Sequence, residues 1–486
     1  MDTLHRTAPF ARPIKFLQFG EGNFLRAFID WQIDLLNERT GLDAGVVVVR
    51  PTDRSTLPLL DAQGGLFTTL IRGLDDDGQP VREFRQVECV QRELDLNRHF
   101  DDYLAEARRP GLRFVVSNTT EAGIAVNDTD RYEDRPAASF PAKLTRWLHE
   151  RWRHFGGTPE SGVVLLPCEL IDDNGPALKA AVQHFGRLWA LEPGFSVWLD
   201  QACTFCSTLV DRIVTGYPAD EIAALQDELG YSDQFLVTAE HFYLFVIQGP
   251  GWLADELKLA GAGLNIKLVD DIRPYKQRKV GVLNGGHTVM VPVALLAGVD
   301  SVGAAMTDAQ ISAFLVDTLE QEIMPSLPLP REELAPFAAA VLRRFRNPYI
   351  HHRLESIALN SWAKFAARVL PQLLTYQARQ GALPARLVLA LAATVRLYRG
   401  DRIALSDDAA HLEWFAAAWA DVDADRLTRQ ELARRVLARE ALWGRDLNEI
   451  PGFTAALGAA LASIDEAGMR GALHRLDTPQ TAAEPA

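Results

Sequence analysis

Residues 15–31 read KFLQFGEGNFLRAFIDW. An apolar run ends at Phe19, glycines follow at 20 and 22, and a helix-period segment begins at once. Phe24, Phe28, Trp31, Ile33, Leu35 and Leu36 fit a broad apolar face on that helix. Strand, tight turn and helix in this order open a βαβ unit. Gly20 permits the turn, and Gly22 lets a pyrophosphate approach the backbone at the helix N-terminus. Leu25 stands where the full dinucleotide fingerprint has its third glycine, so on pattern alone two structural glycines explain the turn equally well.

Working outward, apolar runs at Lys15–Phe19, Gly45–Arg50, Leu112–Ser117, Gly162–Leu166 and Tyr243–Ile247 alternate with helical patterns. Runs of this length between helices predict parallel strands buried on both faces. From about residue 279 the strand signals fade. Segments 288–299, 308–324, 331–346, 350–377, 384–398, 408–420 and 428–442 read as helices, with Pro371 expected to kink or break one of them. The fold class is therefore α/β followed by a mostly α-helical domain, divided as 1–270 and 271–486, with a frayed tail at LDTPQTAAEPA.

Several strand ends have the chemistry of a cofactor cleft. The second strand ends Val49-Arg50-Pro51-Thr52-Asp53. An acid there accepts the ribose hydroxyls of NAD and an arginine suits the 2′-phosphate of NADP, so these residues leave the choice open. Ser117-Asn118-Thr119-Thr120-Glu121 and Cys168-Glu169-Leu170 follow later strands, though turn and cap chemistry accounts for each residue taken singly. The expected cofactor-binding residues are Phe19, Gly20, Gly22, Asn23, Phe24, Asp53, Asn118, Thr119 and Glu121.

The most informative stretch is DDIRPYKQRKVGVLNGGH, residues 270–287. Lys279 and Asn284 are five apart and Asn284 and His287 three apart, so on a helix they could converge over two turns. Carbonyl reduction needs a proton donor and groups that stabilise charge on oxygen. A lysine near other cations such as Arg273, Lys276 and Arg278 suits the first task, and an asparagine and a neutral histidine suit the second. Gly285-Gly286 is poor for a helix interior and is expected where a ligand comes close. The bland reading is a solvated charged face with an incidental histidine.

Composition sets limits. Acidic residues outnumber basic ones by 64 to 50 in 486 residues, for a net charge of −14. Such an excess repels a phosphate backbone and argues against nucleic acid and against a basic membrane-surface protein. No apolar run reaches the roughly 18–20 residues of a spanning helix, the N-terminus lacks the h-region of a secretory signal, and four cysteines form no disulfide framework. A soluble, reducing, cytoplasmic setting is expected. Cys203 and Cys206 lack a second ligand pair for zinc and read as buried thiols; His351-His352 diverge on a helix and suit no metal. Arg343, Arg344, Arg346 and Arg353 form a run suited either to an anionic ligand or to an exposed helical face.

Taken in order, GEGNFLRAF, SNTTEAGI, PCELIDDNG, STLVDRI, KVGVLNGGH and KFAARVLP resemble the long-chain mannitol dehydrogenase family over nearly the whole chain. The resemblance implies a Rossmann-type N-terminal domain, a helical C-terminal domain, metal-independent chemistry and hydride exchange with NAD(H). It places the family's base at Lys279, with Asn284 and His287 as polar partners, and matches Asp211 and Lys364 to substrate-contacting positions. The reaction it implies is NADH-dependent reduction of the keto-hexuronate tagaturonate to altronate. Fructuronate or mannitol as substrate, or a non-catalytic nucleotide sensor, are the alternatives. Lys364, Arg346 and Arg278 are the candidate cations for the substrate carboxylate. Polyol-oxidising relatives carry an asparagine where this chain has Leu170, so Asn174 or a backbone group is expected to replace that donor. The oligomeric state cannot be read from the sequence.

Overall fold

Ile14–Phe19 (β1) lies inside a six-stranded sheet completed by Gly45–Arg50 (β2), Val90–Asp95 (β3), Phe114–Ser117 (β4), Val164–Pro167 (β5) and Thr204–Phe205 (β6). The order is β3-β2-β1-β4-β5-β6 and every pairing is parallel. All six residues of β2 are buried, as a strand covered on both faces requires. Phe19 is level with Val49 on one side and Ser117 on the other, so the loops after β1, β2 and β4 leave from one edge. The strand order reverses between β1 and β4, and open α/β sheets bind ligands at that point.

The computed structural model describes residues 1–52, 58–119 and 123–477. They form two units: Met1–Asp75 with Gln79–Ile272, and Asp76–Gly78 with the chain from Arg273 onward. The first unit holds more β-structure than the apolar runs predict. Phe67–Leu74 and Pro80–Val87 make an antiparallel hairpin, which joins Val237–Glu240 and Val214–Gly216 in a four-stranded mixed sheet. Leu244–Gln248, expected among the parallel strands, instead pairs antiparallel with Ser207–Asp211 and parallel with Ile266–Val269.

The second unit carries no strand among its described residues, only an isolated bridge between Ser301 and Arg353. The expected helix over 350–377 is three pieces, Leu354–Ile357, Ser361–Arg368 and Leu370–Gln380. Asn360, with φ 52°, breaks it in the left-handed region, and Pro371 sits in the first turn of the third piece. Arg273–Leu296 is long and apolar enough to cross a membrane, but 78% of its most apolar window is buried within the protein. It is the central helix of this unit's core, and all the residues from Thr288 to Leu296 are buried.

Candidate active site

In the first unit, the turn after β1 is built as the glycines require. Gly20 has φ +117°, and a Cβ there would lie 3.1 Å from the Asn118 carbonyl oxygen and 3.2 Å from Leu25 Cδ1. A Cβ on Gly22 would meet nothing within 4 Å, so the start of the helix faces open space. A dinucleotide pyrophosphate fits here, against unsatisfied first-turn N–H groups. The helix runs through Asn23–Leu25, a π-helical turn at Arg26–Asp30, and Trp31–Thr40. Buried Arg26 donates to the Glu21 and Phe235 carbonyls and to Asn23 Oδ1, which fixes Asn23. Below the turn, Gln18 Nε2 lies 3.2 Å from both the Gly20 carbonyl oxygen and Asp30 Oδ2. Burial raises the Asp30 carboxyl to about 7, partly offset by the Gln18 hydrogen bond and Arg26.

The other expected cofactor residues divide by role. The Phe19 ring is core, edge-on to Tyr103 and Phe140, and Phe24 stacks on Phe28. Asn118 Nδ2 donates to the Cys168 carbonyl at 2.7 Å, while Thr119 N and Oγ1 donate to Glu169 Oε1 at 3.0 Å. These side chains bind the β4 and β5 ends together and leave the backbone to line the crevice. Asp53 and Glu121 lie outside the described residues. Arg50 is removed as a phosphate ligand: it is 5% exposed, its Nε lies 2.6 Å from Glu93 Oε1, and its Nη2 donates to the Pro58 carbonyl. Sequence alone left Arg50 and Asp53 competing because it does not show which way a strand-end arginine turns.

In the second unit, Arg273–Arg278 is α-helical, Lys279–Asn284 is π-helical and Gly285–Leu296 returns to α. The Gly285 N–H donates to the Val280 carbonyl, five residues back. Residues five apart on an α-helix are turned about 140° from each other, whereas an i→i+5 turn stacks them. The π turn therefore brings Lys279 and Asn284 onto one side, and His287 follows one α turn beyond Asn284. Asn284 is half-buried and makes no side-chain hydrogen bond among the described residues.

The paired glycines serve packing and not ligand approach, contrary to the expectation. Both are buried. A Cβ on Gly285 would come within 3.3 Å of the Arg368 carbonyl oxygen, and one on Gly286 would touch Leu315, Leu319 and Phe345. Glycine here lets neighbouring helices close on the π turn.

His287 stacks on Phe345 with centroids 4.0 Å apart and meets His352 edge-on at 5.4 Å. Its Nε2 is buried without a hydrogen-bond partner. Burial holds this imidazole well below its ordinary range, and His352, Arg344, Arg368 and Lys364 push it the same way, so the ring is neutral at neutral pH. Lys364 Nζ donates to the Ile357 carbonyl at 2.8 Å, and burial with Arg368 nearby lowers its pKa. Sequence reading named Lys364 but missed Arg368 and His352 as neighbours of His287. The i, i+4 spacing of Lys364 and Arg368 on one helix was the available signal.

Other candidates go elsewhere. Arg346 is exposed and donates to Ser312 Oγ at 3.4 Å; the arginine of that run which turns inward is Arg344. Arg278 is buried against Phe337 and Tyr275 and pairs with Glu333, which makes it structural. Asn174 is buried, with Nδ2 directed to the Pro167, Glu169 and Thr208 carbonyls and Oδ1 accepting from Thr208 N. No amide proton remains for a substrate oxygen, so Asn174 does not replace the donor missing at Leu170, which is 62% exposed. Asp211 is buried at the end of Ser207–Asp211. All four cysteines are free and buried, and burial pushes Cys203 and Cys206 up to about 12. Among the described residues no three His, Cys, Asp or Glu side chains come together to hold a metal ion.

The model of the mannitol dehydrogenase Rossmann domain matches residues 14–261, and that of the mannitol dehydrogenase C-terminal domain matches 271–465. The chain is 55% identical over 485 residues to an altronate oxidoreductase of Pectobacterium carotovorum subsp. carotovorum, covering 98% of this chain and 99% of the relative. It is 55% identical over 479 residues to one of Yersinia enterocolitica, covering 97% and 99%. An Escherichia coli altronate oxidoreductase is 54% identical over 482 residues, covering 98% and 100%. Among solved structures, Pseudomonas fluorescens mannitol 2-dehydrogenase, a ternary complex with NAD and D-mannitol, shares the fold at TM-score 0.65 and 23% identity, covering 96% of this chain and 94% of that one. A substrate-free D-sorbitol dehydrogenase does so at TM-score 0.77 and 20% identity, covering 95% of each. By both domain models and by full-length relatives, the chain belongs to the mannitol dehydrogenase family.

Proposed function

We propose that this chain is an NAD(H)-dependent oxidoreductase acting on a secondary alcohol of a sugar acid, reducing tagaturonate to altronate and catalysing the reverse. The observation that carries the reading is 55% identity over nearly the full length to altronate oxidoreductases. The π turn carrying Lys279 and Asn284, with His287 one α turn beyond, supports it with the means to manage a proton and an oxyanion. The Gly20–Gly22 turn suits the pyrophosphate, and burial of Arg50 against Glu93 favours NAD over NADP. When bound, the reduced nicotinamide supplies the hydride to the ketone carbon.

The chain's own residues do the rest. Lys279 gives its proton to the ketone oxygen as that oxygen gains charge, and in the reverse direction the neutral amine takes the hydroxyl proton. Asn284, its amide uncommitted among the described residues, donates a hydrogen bond to the same oxygen. Neutral His287 orients a neighbouring hydroxyl. Four free, buried thiols accord with a reducing cytoplasm.

The test is a panel of tagaturonate, fructuronate and fructose assayed with NADH and with NADPH. Tagaturonate with NADH should give the highest kcat/KM. A higher value with fructuronate would reassign the epimer. NADH binding without oxidation on any member would replace the enzyme reading with a sensor.

A further inference from the structure

The helix Ser361–Arg368 carries Lys364 and Arg368 four residues apart, hence on one face. Its end is held against the π turn by Gly285, which admits the Arg368 carbonyl to within 3.3 Å of where a Cβ would stand. Arg368 is half-buried, and among the described residues its guanidinium has neither an ion-pair partner nor a hydrogen-bond acceptor. Burial alone lowers its pKa, with no acid to offset it. For Lys364 the opposing acid is Asp407, which already accepts from the Tyr398 hydroxyl. Arg368 and Lys364 both bear on His287, whose buried Nε2 has no hydrogen-bond partner. A desolvated guanidinium without a counter-charge destabilises a fold unless an anion completes it.

We infer that Arg368, seconded by Lys364, binds the carboxylate of the sugar-acid substrate beside the Lys279–Asn284–His287 turn. The inference rests on the sugar-acid reading above and narrows it to a residue. A guanidinium offers a carboxylate two parallel N–H donors, and an ammonium on the same face adds a third contact. Sequence reading gave this task to Lys364, Arg346 or Arg278; of these only Lys364 is in the cluster around His287.

Calorimetric titration of the full chain, with NAD⁺ present, should compare altronate with the uncharged alditol altritol. Wild type should bind altronate more tightly. Arg368→Met should weaken altronate binding about 10- to 100-fold and leave altritol binding essentially unchanged. Arg368→Lys should restore part of the loss. Equal weakening of both ligands would mean a structural role and overturn the inference, as would undiminished altronate binding in Arg368→Met. The proposed reaction fails separately: a wild type inactive on tagaturonate that still binds altronate through Arg368 loses the reaction and keeps the carboxylate site.

Discussion

Lys279 stands at the start of the π turn with Asn284 stacked beyond it, and the proposed chemistry asks different things of each. Lys279→Ala removes the proton donor and should lower kcat with tagaturonate by about 10²-fold or more, with NADH binding unchanged by fluorescence titration. Wild-type turnover would reassign the acid. A second buried group is open to test because it titrates. Asp30 holds its proton up to about 7 in the folded chain, whereas an unfolded aspartate releases it near 4. Between those values the native state binds the extra proton, so stability contributed by Asp30 falls as pH rises and levels off above about 7. Asp30→Asn should therefore gain Tm relative to wild type from pH 4 to pH 7 and hold that gain at pH 8; a difference independent of pH would contradict the assignment. Lys279, Asn284 and His287 stood out in the sequence because one short segment carries all three. Arg368 did not, because its neighbourhood with His287 comes from tertiary packing that no local spacing records.

At the scale of elements, the glycines of the π turn differ in what they face. Gly285 abuts a backbone carbonyl, whereas Gly281 faces Gln372 Nε2 and Leu327 Cδ2, both at 3.1 Å and both on side chains that can move. Gly285→Ala should lower stability by about 1–2 kcal/mol from overpacking, more than Gly281→Ala, in which gained helix propensity of about 1 kcal/mol offsets the clash. Thermal unfolding of the two variants measures the order. The same scale shows why some elements were readable. Strands β2, β4 and β5 are apolar but for an end residue, β1 is broken only by Lys15 and Gln18, and all four announce themselves, whereas Phe67–Leu74 and Pro80–Val87 are mixed, and their mark is the Asp77-Gly78 turn between them. The expected helix over 350–377 kept its apolar period through a break that depends on one left-handed residue, Asn360. A hydrophobic pattern reports a buried face and is silent about a single φ. The π turn is equally invisible, since it changes hydrogen bonding by one residue and leaves composition alone.

Over the whole molecule, a net charge of −14 coexists with a cluster of cations around His287. The cluster draws a carboxylate in from solvent, and salt screens that attraction beyond about 10 Å at 0.1 M. The KM for tagaturonate should therefore rise with ionic strength, while that for an uncharged ketose stays level; parallel behaviour would assign the attraction to something other than charge. The two halves of the chain divide their labour by texture. A parallel sheet presents backbone at its edge, and a helical core presents side chains. The long helix Arg273–Leu296 joins these themes, because its apolar end anchors a core and its π turn carries chemistry. A π turn is an α-helix bearing one surplus residue. Loss of a single residue between Val280 and Leu283 would let the segment close as plain α-helix. Lys279 and Asn284 would then be four apart on an α-helix and still on one side, while the core from Val289 to Leu296 stayed in register. For this chain, a deletion of three nucleotides at that point would take out the surplus residue and leave in place both the side-by-side setting of Lys279 and Asn284 and the helical core.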